Sequence, residues 1–373
     1  MQIIKKDLRK ESFDFAKIQS AVSKSAERVH YHPSEDEWQQ LKEKIFSQLI
    51  TTKKEEVSVY ELHQIVESAL LQIMPVVGQS YSNYRNYKKS YAEMMARVLA
   101  SADDLNYHID RSNANTSAAL ISTKRSLIYT ALNKELYKKV FLSVDEEAAI
   151  QDGYIYIHDL GARMDTYNCC LFDMGKVLCG GFEWEHIGYN EPKDVRTACN
   201  LISDITLNCA AQQYGGFTIP EIDSILAPYA EKSYHNYYDE YVGIVMNNSD
   251  VYKPHNQQFK QRAHDYAWNK TKRDICQGFQ GFEHTFNTVA SSRGDYPFVT
   301  MTGGCEENPY GQLVWECALE VRKNGQGHPG KKRPAIFPKL VFIYTSKLHG
   351  EGQKMRHLFI KGVECSAVAM YPD

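Results

Sequence analysis

No CxxC pair occurs in the 373 residues, so neither a zinc ribbon nor a thioredoxin-type motif is written here. The nine cysteines are an odd, scattered set rather than a disulfide framework. No apolar run approaches the roughly 20 residues a membrane-spanning helix needs. No apolar segment follows the basic residues of MQIIKKDLRK, as a signal peptide would require. The formal net charge of −3 gives no bias toward nucleic acid or a membrane surface. Internal repeats and low-complexity tracts are also missing. These absences predict a cytoplasmic chain with reduced thiols. What is there is a 43% apolar content, enough for a real core, and a length that fits two domains. The 25 tyrosines carry no assigned role.

Residues 1–95 read as a small separate domain. Ile3-Ile4 begins a short strand, Lys5 to Lys10 forms a charged turn, and Glu11 to Phe15 returns as a second strand. Ile18, Val22, Ala26 and Val29 share one helical face. Pro33-Ser34 caps a second helix with Trp38, Leu41, Ile45 and Leu49 in register. Leu62, Ile65, Val66, Ala69, Leu70 and Ile73 line a third helix, which Pro75 and Gly78 are expected to break. A fourth is expected from Tyr81, carrying Tyr84, Arg85, Lys88 and Lys89, with a linker over 91–106. A hairpin with a basic turn on a helical bundle can bind polyphosphate, because ammonium and backbone N–H groups neutralise it. A solvated charged turn is the plainer reading of KKDLRK alone.

The stretch from Asp152 to Gly181 organises the rest. Tyr154-Ile155-Tyr156-Ile157 predicts a buried strand that delivers His158 and Asp159 to its end. A loop then presents Asn168-Cys169-Cys170. Histidine, carboxylates and thiols beyond a strand suit chemistry on a scaffold. A buried strand with two core cysteines fits the residue types equally well. Further on, helices are predicted over Val195–Cys209, Tyr229–Tyr241 and 313–321, and a polar surface helix over 250–275. Strands are predicted at Pro297–Met301 and Lys339–Tyr344. The glycine-rich basic loop 325–334 lacks the Gly-Lys-Ser/Thr ending of a phosphate-binding loop and reads as a connection. Alternating strands and helices put this part in the α/β class.

The run IYIHDL, YNCCLFDMGKVL and GGF resembles the catalytic subunit of anaerobic (class III) ribonucleotide reductases. Gln213 to Pro220, Leu226 to Tyr229, Ser292-Arg293-Gly294 with Pro297-Phe298, and Ile336 to Phe342 agree with it in order. Residues 1–95 resemble the ATP-cone, the regulatory nucleotide-binding domain of such enzymes. The resemblance implies an α+β cone, a β-hairpin on a helical bundle, followed over 96–373 by part of a ten-stranded α/β barrel. In the cone, Ile3, Lys5, Glu11, Lys17, His63 and Lys88 fall on nucleotide-contacting positions. Leu8 replaces a usual glycine and Val59 a frequent threonine, which implies a differently strained turn and one missing hydrogen bond to nucleotide. Cys169 matches the reducing cysteine, with Asn168 and His158 beside it in the motif. Asn113, Asn115 and Ser117 fall in a segment near the substrate and effector surfaces.

By the same resemblance, ATP and dATP are effectors and ribonucleoside triphosphates are substrates. A radical-SAM activating protein, formate or a thioredoxin-like reductant, and a homodimer are implied. The thiyl-forming cysteine, the four-cysteine zinc site and the glycyl-radical segment are expected beyond Tyr371-Pro372-Asp373, and no metal ligands are assigned within the chain. The chain is therefore expected to be the N-terminal portion of the enzyme, inactive alone and poorly stable. The competing reading is a catalytically dead ATP/dATP-binding regulator or interaction protein. No zinc ribbon precedes Ile3, which disfavours a repressor of that type. The cone disfavours a formate-lyase relative.

Overall fold

The computed structural model describes all residues except 6, 7, 108–115, 118, 165, 249–256 and 293. It divides into two compact units, Met1–Ala100 and Ser101–Asp373.

In the first unit, β1 (Gln2–Ile4) pairs antiparallel with β2 (Lys10–Ser12), setting Ile3 opposite Glu11. Helix α1 (Phe15–Glu27) starts where the Asp14 carboxylate accepts the Ala16 N–H. Helix α2 (Glu35–Thr51) starts with a capping box between Ser34 and Glu37. A third strand, β3 (Glu56–Ser58), pairs parallel with β1 and places Val57 opposite Ile3. Ser58 and Glu61 then cap α3 (Val59–Ile73) in the same way. The three helices bury Ile18, Val22, Ala26, Leu41, Ile45, Leu49, Val66, Ala69 and Leu70 at the spacing their sequence shows. Each buried Ile, Leu or Val among them contributes about 1.5–3 kcal/mol on leaving water.

Helix α3 ends at Ile73, just before Pro75, as expected, but Pro75 and Gly78 do not leave a gap before the next helix. They sit in the first turn of α4 (Pro75–Tyr107), which begins six residues before the expected Tyr81 and runs through the expected linker. Proline fits there because a first-turn residue needs no amide donor. A Cβ on Gly78 would lie 2.8 Å from the Leu71 amide nitrogen, so glycine lets α4 close on the end of α3.

The second unit opens with α5 (Ile121–Phe141) and α6 (Val144–Gln151). The expected strand at Tyr154–Ile157 is not formed. Gly153 turns left-handed at φ 80°, and the Tyr154 and Ile155 N–H groups both go to the Ala149 carbonyl. Donors that a strand would need are spent closing the end of α6. Tyr154 and Tyr156 are 83% and 84% exposed rather than buried.

The chain continues through β4 (Cys170–Leu171), α7 (Met174–Leu178), the hairpin β5 (Phe182–Trp184) and β6 (Ile187–Tyr189), and α8 (Val195–Ala210). Then come β7 (Phe217–Ile219), α9 (Ile222–Asn248), α10 (Gln257–Thr288), β8 (Val299–Gly303), α11 (Pro309–Asn324), β9 (Lys339–Phe342), α12 (Ser346–His349) and α13 (Arg356–Ala369). Strands β4, β7, β8 and β9 form one parallel sheet in that order. Parallel neighbours need crossovers, and the helices supply them. The fold class is α/β, as the sequence pattern predicts.

Phe217, Ile219, Val299, Met301 and Leu340 of the sheet meet Ile202, Ile205, Phe279, Phe282, Phe286 and Trp315 of the helices in one core. Helix α10 is a further departure from expectation. Its start reads as polar, yet Phe259, Ala263, Ala267 and Ile275 are buried along one face. Small alanines at i, i+4 spacing carry little apolar signal in a sequence but allow helices to pack closely.

Candidate functional site

The six cone residues singled out by sequence converge. Ile3 lies buried in the sheet directly across from Glu11. Glu11 holds two ammonium groups, Lys5 at 2.9 Å and Lys17 from α1. His63 of α3 places Nδ1 2.5 Å from the Tyr81 hydroxyl. Burial pushes the Tyr81 phenol up to about 12, so it stays protonated at neutral pH. Ile3, Lys5, Glu11, Lys17 and His63 line a cavity of about 150 Å³ floored by Ile18, Val59, Leu62 and Val66. Val59 contributes an aliphatic wall and no hydroxyl.

Lys17 and His63 also line a neighbouring cavity of about 800 Å³, where Lys88 enters with Lys24, Arg28, Tyr84 and Arg85. The Arg28 guanidinium stacks 3.8 Å from the Tyr84 ring centre, and the Lys88 ammonium lies 4.9 Å from it. Arg85 pairs with Glu67 at 2.7 Å. An apolar slot continuing into a cationic groove suits a nucleobase joined to a polyphosphate. Lys24 and Arg28 carry no role in the sequence reading. Their spacing from Lys17 on one helix, i+7 and i+11, is the signal that could have found them.

Leu8 adopts φ 66° and is 80% exposed in the turn between β1 and β2. That left-handed conformation is the one glycine takes without strain, at a cost of about 1–2 kcal/mol for leucine. Leu8→Gly is expected to raise the unfolding free energy of the first unit by up to about 1 kcal/mol, less the added freedom of the unfolded chain. Urea denaturation measures this, and a loss of 1 kcal/mol would show that the turn is held by the leucine side chain instead.

In the second unit, Asn168 and Cys169 lead into β4 at the sheet edge. The Gly216 N–H donates to Cys169 Sγ at 3.1 Å, and the thiol lies 3.3 Å from Asn168 Oδ1. A Cβ on Gly215 would fall 2.5 Å from both of those side-chain atoms. The Gln213 to Gly216 loop is thus moulded on the thiol, with Tyr167 and Gln213 bridging the two segments. Cys169 is exposed. Gly215 also walls a cavity of about 350 Å³ shared with Thr116, Thr130, Gln213, Ser291 and Asp295.

His158 is not gathered into this arrangement. Its side chain is 80% exposed and pairs with the Asp159 carboxylate. The Ser117 carbonyl accepts the Thr123 hydroxyl at 2.7 Å. Asn113 and Asn115 lie outside the described residues. Among the described residues, no group of three or more His, Cys, Asp or Glu side chains could hold a metal ion. No described helix is long and apolar enough to cross a membrane.

The model of the family "Anaerobic ribonucleoside-triphosphate reductase" matches residues 112–373. The chain belongs to that family. The model of the ATP cone domain matches residues 1–90. The anaerobic ribonucleoside-triphosphate reductase of Haemophilus influenzae is 28% identical over the whole chain and 51% of its own length. That of Escherichia coli is 28% identical over 86% of the chain and 44% of its own length. The chain spans about half the length of the curated relatives it matches. Among solved structures, an anaerobic ribonucleotide reductase from Thermotoga maritima with dATP in its specificity site is similar over 75% of this chain and 49% of its own. The identity there is 15% and the TM-score 0.47.

Proposed function

We propose that this chain supplies the effector-binding domain and the reducing-thiol segment of an enzyme that converts ribonucleoside triphosphates to deoxyribonucleoside triphosphates. Membership of the reductase family supports the reaction class. The observation that carries the reading is the convergence of Lys5, Lys17, His63 and Lys88 around an apolar slot in a domain of the ATP-cone family. In this reading, Ile3 and the aliphatic floor take the adenine, and the lysines neutralise phosphate. His63, oriented by Tyr81, reaches the sugar or phosphate.

Cys169 is the reducing thiol. Its exposed position lets substrate reach the sulfur, and the Gly216 N–H, donating to Sγ, holds the sulfur in place as the thiol gives up a hydrogen atom. Asn168 fixes the thiol rotamer. His158, Asn113, Asn115 and Ser117 belong to the same reading as groups that meet substrate once it is bound. A radical-SAM activating protein, formate or a thioredoxin-like reductant and a second subunit complete the reaction. The parallel sheet is part of a ten-stranded barrel, and the domain boundary lies near residue 95. Zinc finds no ligand set among the described residues.

The test is dATP and ATP binding by titration calorimetry. Micromolar binding is expected, weakened about tenfold or more by Lys17→Ala and by Lys88→Ala, since each removes a charge-assisted phosphate contact. Unchanged affinity in both variants would sink the cone assignment. The groove is built from the first unit alone, which favours a nucleotide-binding regulator as the second reading. Nucleotide binding with no Cys169-dependent product, even when the chain is joined to the radical-bearing remainder of the enzyme, would decide for it.

A further inference from the structure

We propose that Lys339, at the start of β9, is the counter-charge for the triphosphate of the substrate whose ribose meets Cys169. The inference rests on the reading of Cys169 as the reducing thiol and adds a binding residue to that site. It starts from the two faces of the four-stranded sheet. Register aligns Cys170, Phe217 and Val299, and in the next rung Leu171, Thr218, Thr300 and Lys339. Phe217 and Val299, and beyond them Ile219, Met301 and Leu340, are turned into the helix-covered core. Side chains alternate across a strand, so Leu171, Thr218, Thr300 and Lys339 form one row on the opposite face. Exposure agrees: Leu171 is 78% exposed, and Thr218, Thr300 and Lys339 are half-buried. Cys170 also packs against the core, which puts Cys169 on the open face, where it is exposed. A thiol at one edge strand and a cation at the other thus share one surface.

Lys339 is held in a way that keeps its charge available to an anion. Its ammonium lies 4.8 Å from the Phe298 ring centre and 6.0 Å from that of Tyr371. Aromatic faces fix an ammonium without neutralising it as a carboxylate would. Among the described residues no carboxylate pairs with Lys339, and the Thr218 and Thr300 hydroxyls meet no protein partner. Phe298 also walls the cavity of about 350 Å³ that Gly215 shares, and a Cβ on Gly216 would lie 3.4 Å from its ring. The loop that holds the Cys169 sulfur and the ring that holds the ammonium are therefore neighbours. From β4 to β9 the row crosses three inter-strand gaps, roughly 14 Å. A ribose over Cys169 with its phosphates extended along the row, met by the long lysine side chain, covers that distance. The two threonine hydroxyls are donors to phosphate oxygens on the way, and the compact ammonium binds the far end as a point charge.

The experiment uses the complete reductase of which this chain is proposed to be the N-terminal portion. In the wild-type enzyme, CTP is expected to slow acetylation of Lys339 by acetic anhydride at least about tenfold, read by peptide mass spectrometry, whereas cytidine leaves it unchanged. Lys339→Gln is expected to raise KM for CTP at least about tenfold with kcat within about threefold, because the phosphate contact is the same before and during the reaction. Lys339→Arg, which keeps the charge, should hold KM within about threefold. An unchanged KM in Lys339→Gln overturns the proposal and leaves Cys169 its role. So does equal protection by cytidine, which would put the lysine on base or sugar, or by dATP, which would put it on an effector. A wild-type enzyme whose product does not depend on Cys169 overturns both readings. The protection measurement decides the question even where Lys339→Gln fails to fold.

Discussion

Glu283→Ala is expected to destabilise the second unit by about 3–5 kcal/mol, the largest single-residue effect on stability anticipated in the chain. Arg322 on α11 has a fully buried side chain, and Glu283 on α10 is 3% exposed. The Arg322 Nε–H donates to Glu283 at 2.6 Å and an Nη2–H to the Pro338 carbonyl at 2.7 Å. Gln326 donates to the other Glu283 oxygen at 2.6 Å. Arg322 Nη1 already lacks a protein partner. Removing the carboxylate would leave a guanidinium charge in the core with one carbonyl and the Tyr371 ring, 5.8 Å away, to face it. A buried pair costs much when one partner is lost, and far less when both are replaced by apolar groups of similar volume. The double variant Glu283→Leu with Arg322→Met should therefore unfold closer to wild type than Glu283→Ala does. Urea denaturation of the three proteins checks this. Equal losses in the single and double variants would mean that packing, not the unpaired charge, sets the cost.

In the complete reductase of which this chain is proposed to be the N-terminal portion, Cys169→Ser is expected to lower deoxynucleotide formation by at least about a thousandfold while leaving dATP affinity within twofold. Replacing the ribose 2′-hydroxyl by hydrogen needs a group that releases a hydrogen atom easily. A thiol does so, and a hydroxyl does not. Serine keeps the size, the Gly216 contact and the Asn168 contact, so the fold is spared and the sulfur chemistry alone is removed. The groove proposed to bind nucleotide is lined by residues of the other unit. The assay follows deoxynucleotide product in the presence of the activating protein and reductant. Product at a tenth of the wild-type rate would remove Cys169 from the reducing role.

Much of the first unit was legible in its sequence. Ser34 with Glu37, and the stripe through Val66, Ala69 and Leu70, are local signals, and they hold because caps and one-sided burial act within a few residues. Strand β3 was not legible. Only Val57 of its three residues is buried, and it exists because β1 offers a free edge 54 residues away. Tyr154–Ile157 shows the opposite failure. An apolar, β-prone run has strand propensity, but no neighbouring strand pairs with it and α6 takes its amides.

The sites divide in the same way. Sequence by itself singled out the residues proposed to do chemistry: the lysines, His63, and the Asn168-Cys169 pair, which lies in the stretch that the reductase family model matches. It also determined the α/β class, through helices and strands in alternation. Tertiary structure alone decided which of these residues meet. It joined Glu11 to both Lys5 and Lys17, turned the Gly216 N–H toward Cys169, and left His158 in solvent. The physical reason is range. Propensity, capping and periodicity are written in neighbouring residues, whereas a hydrogen bond or thiol contact between distant segments depends on how whole elements pack, and packing is a property of the assembled core.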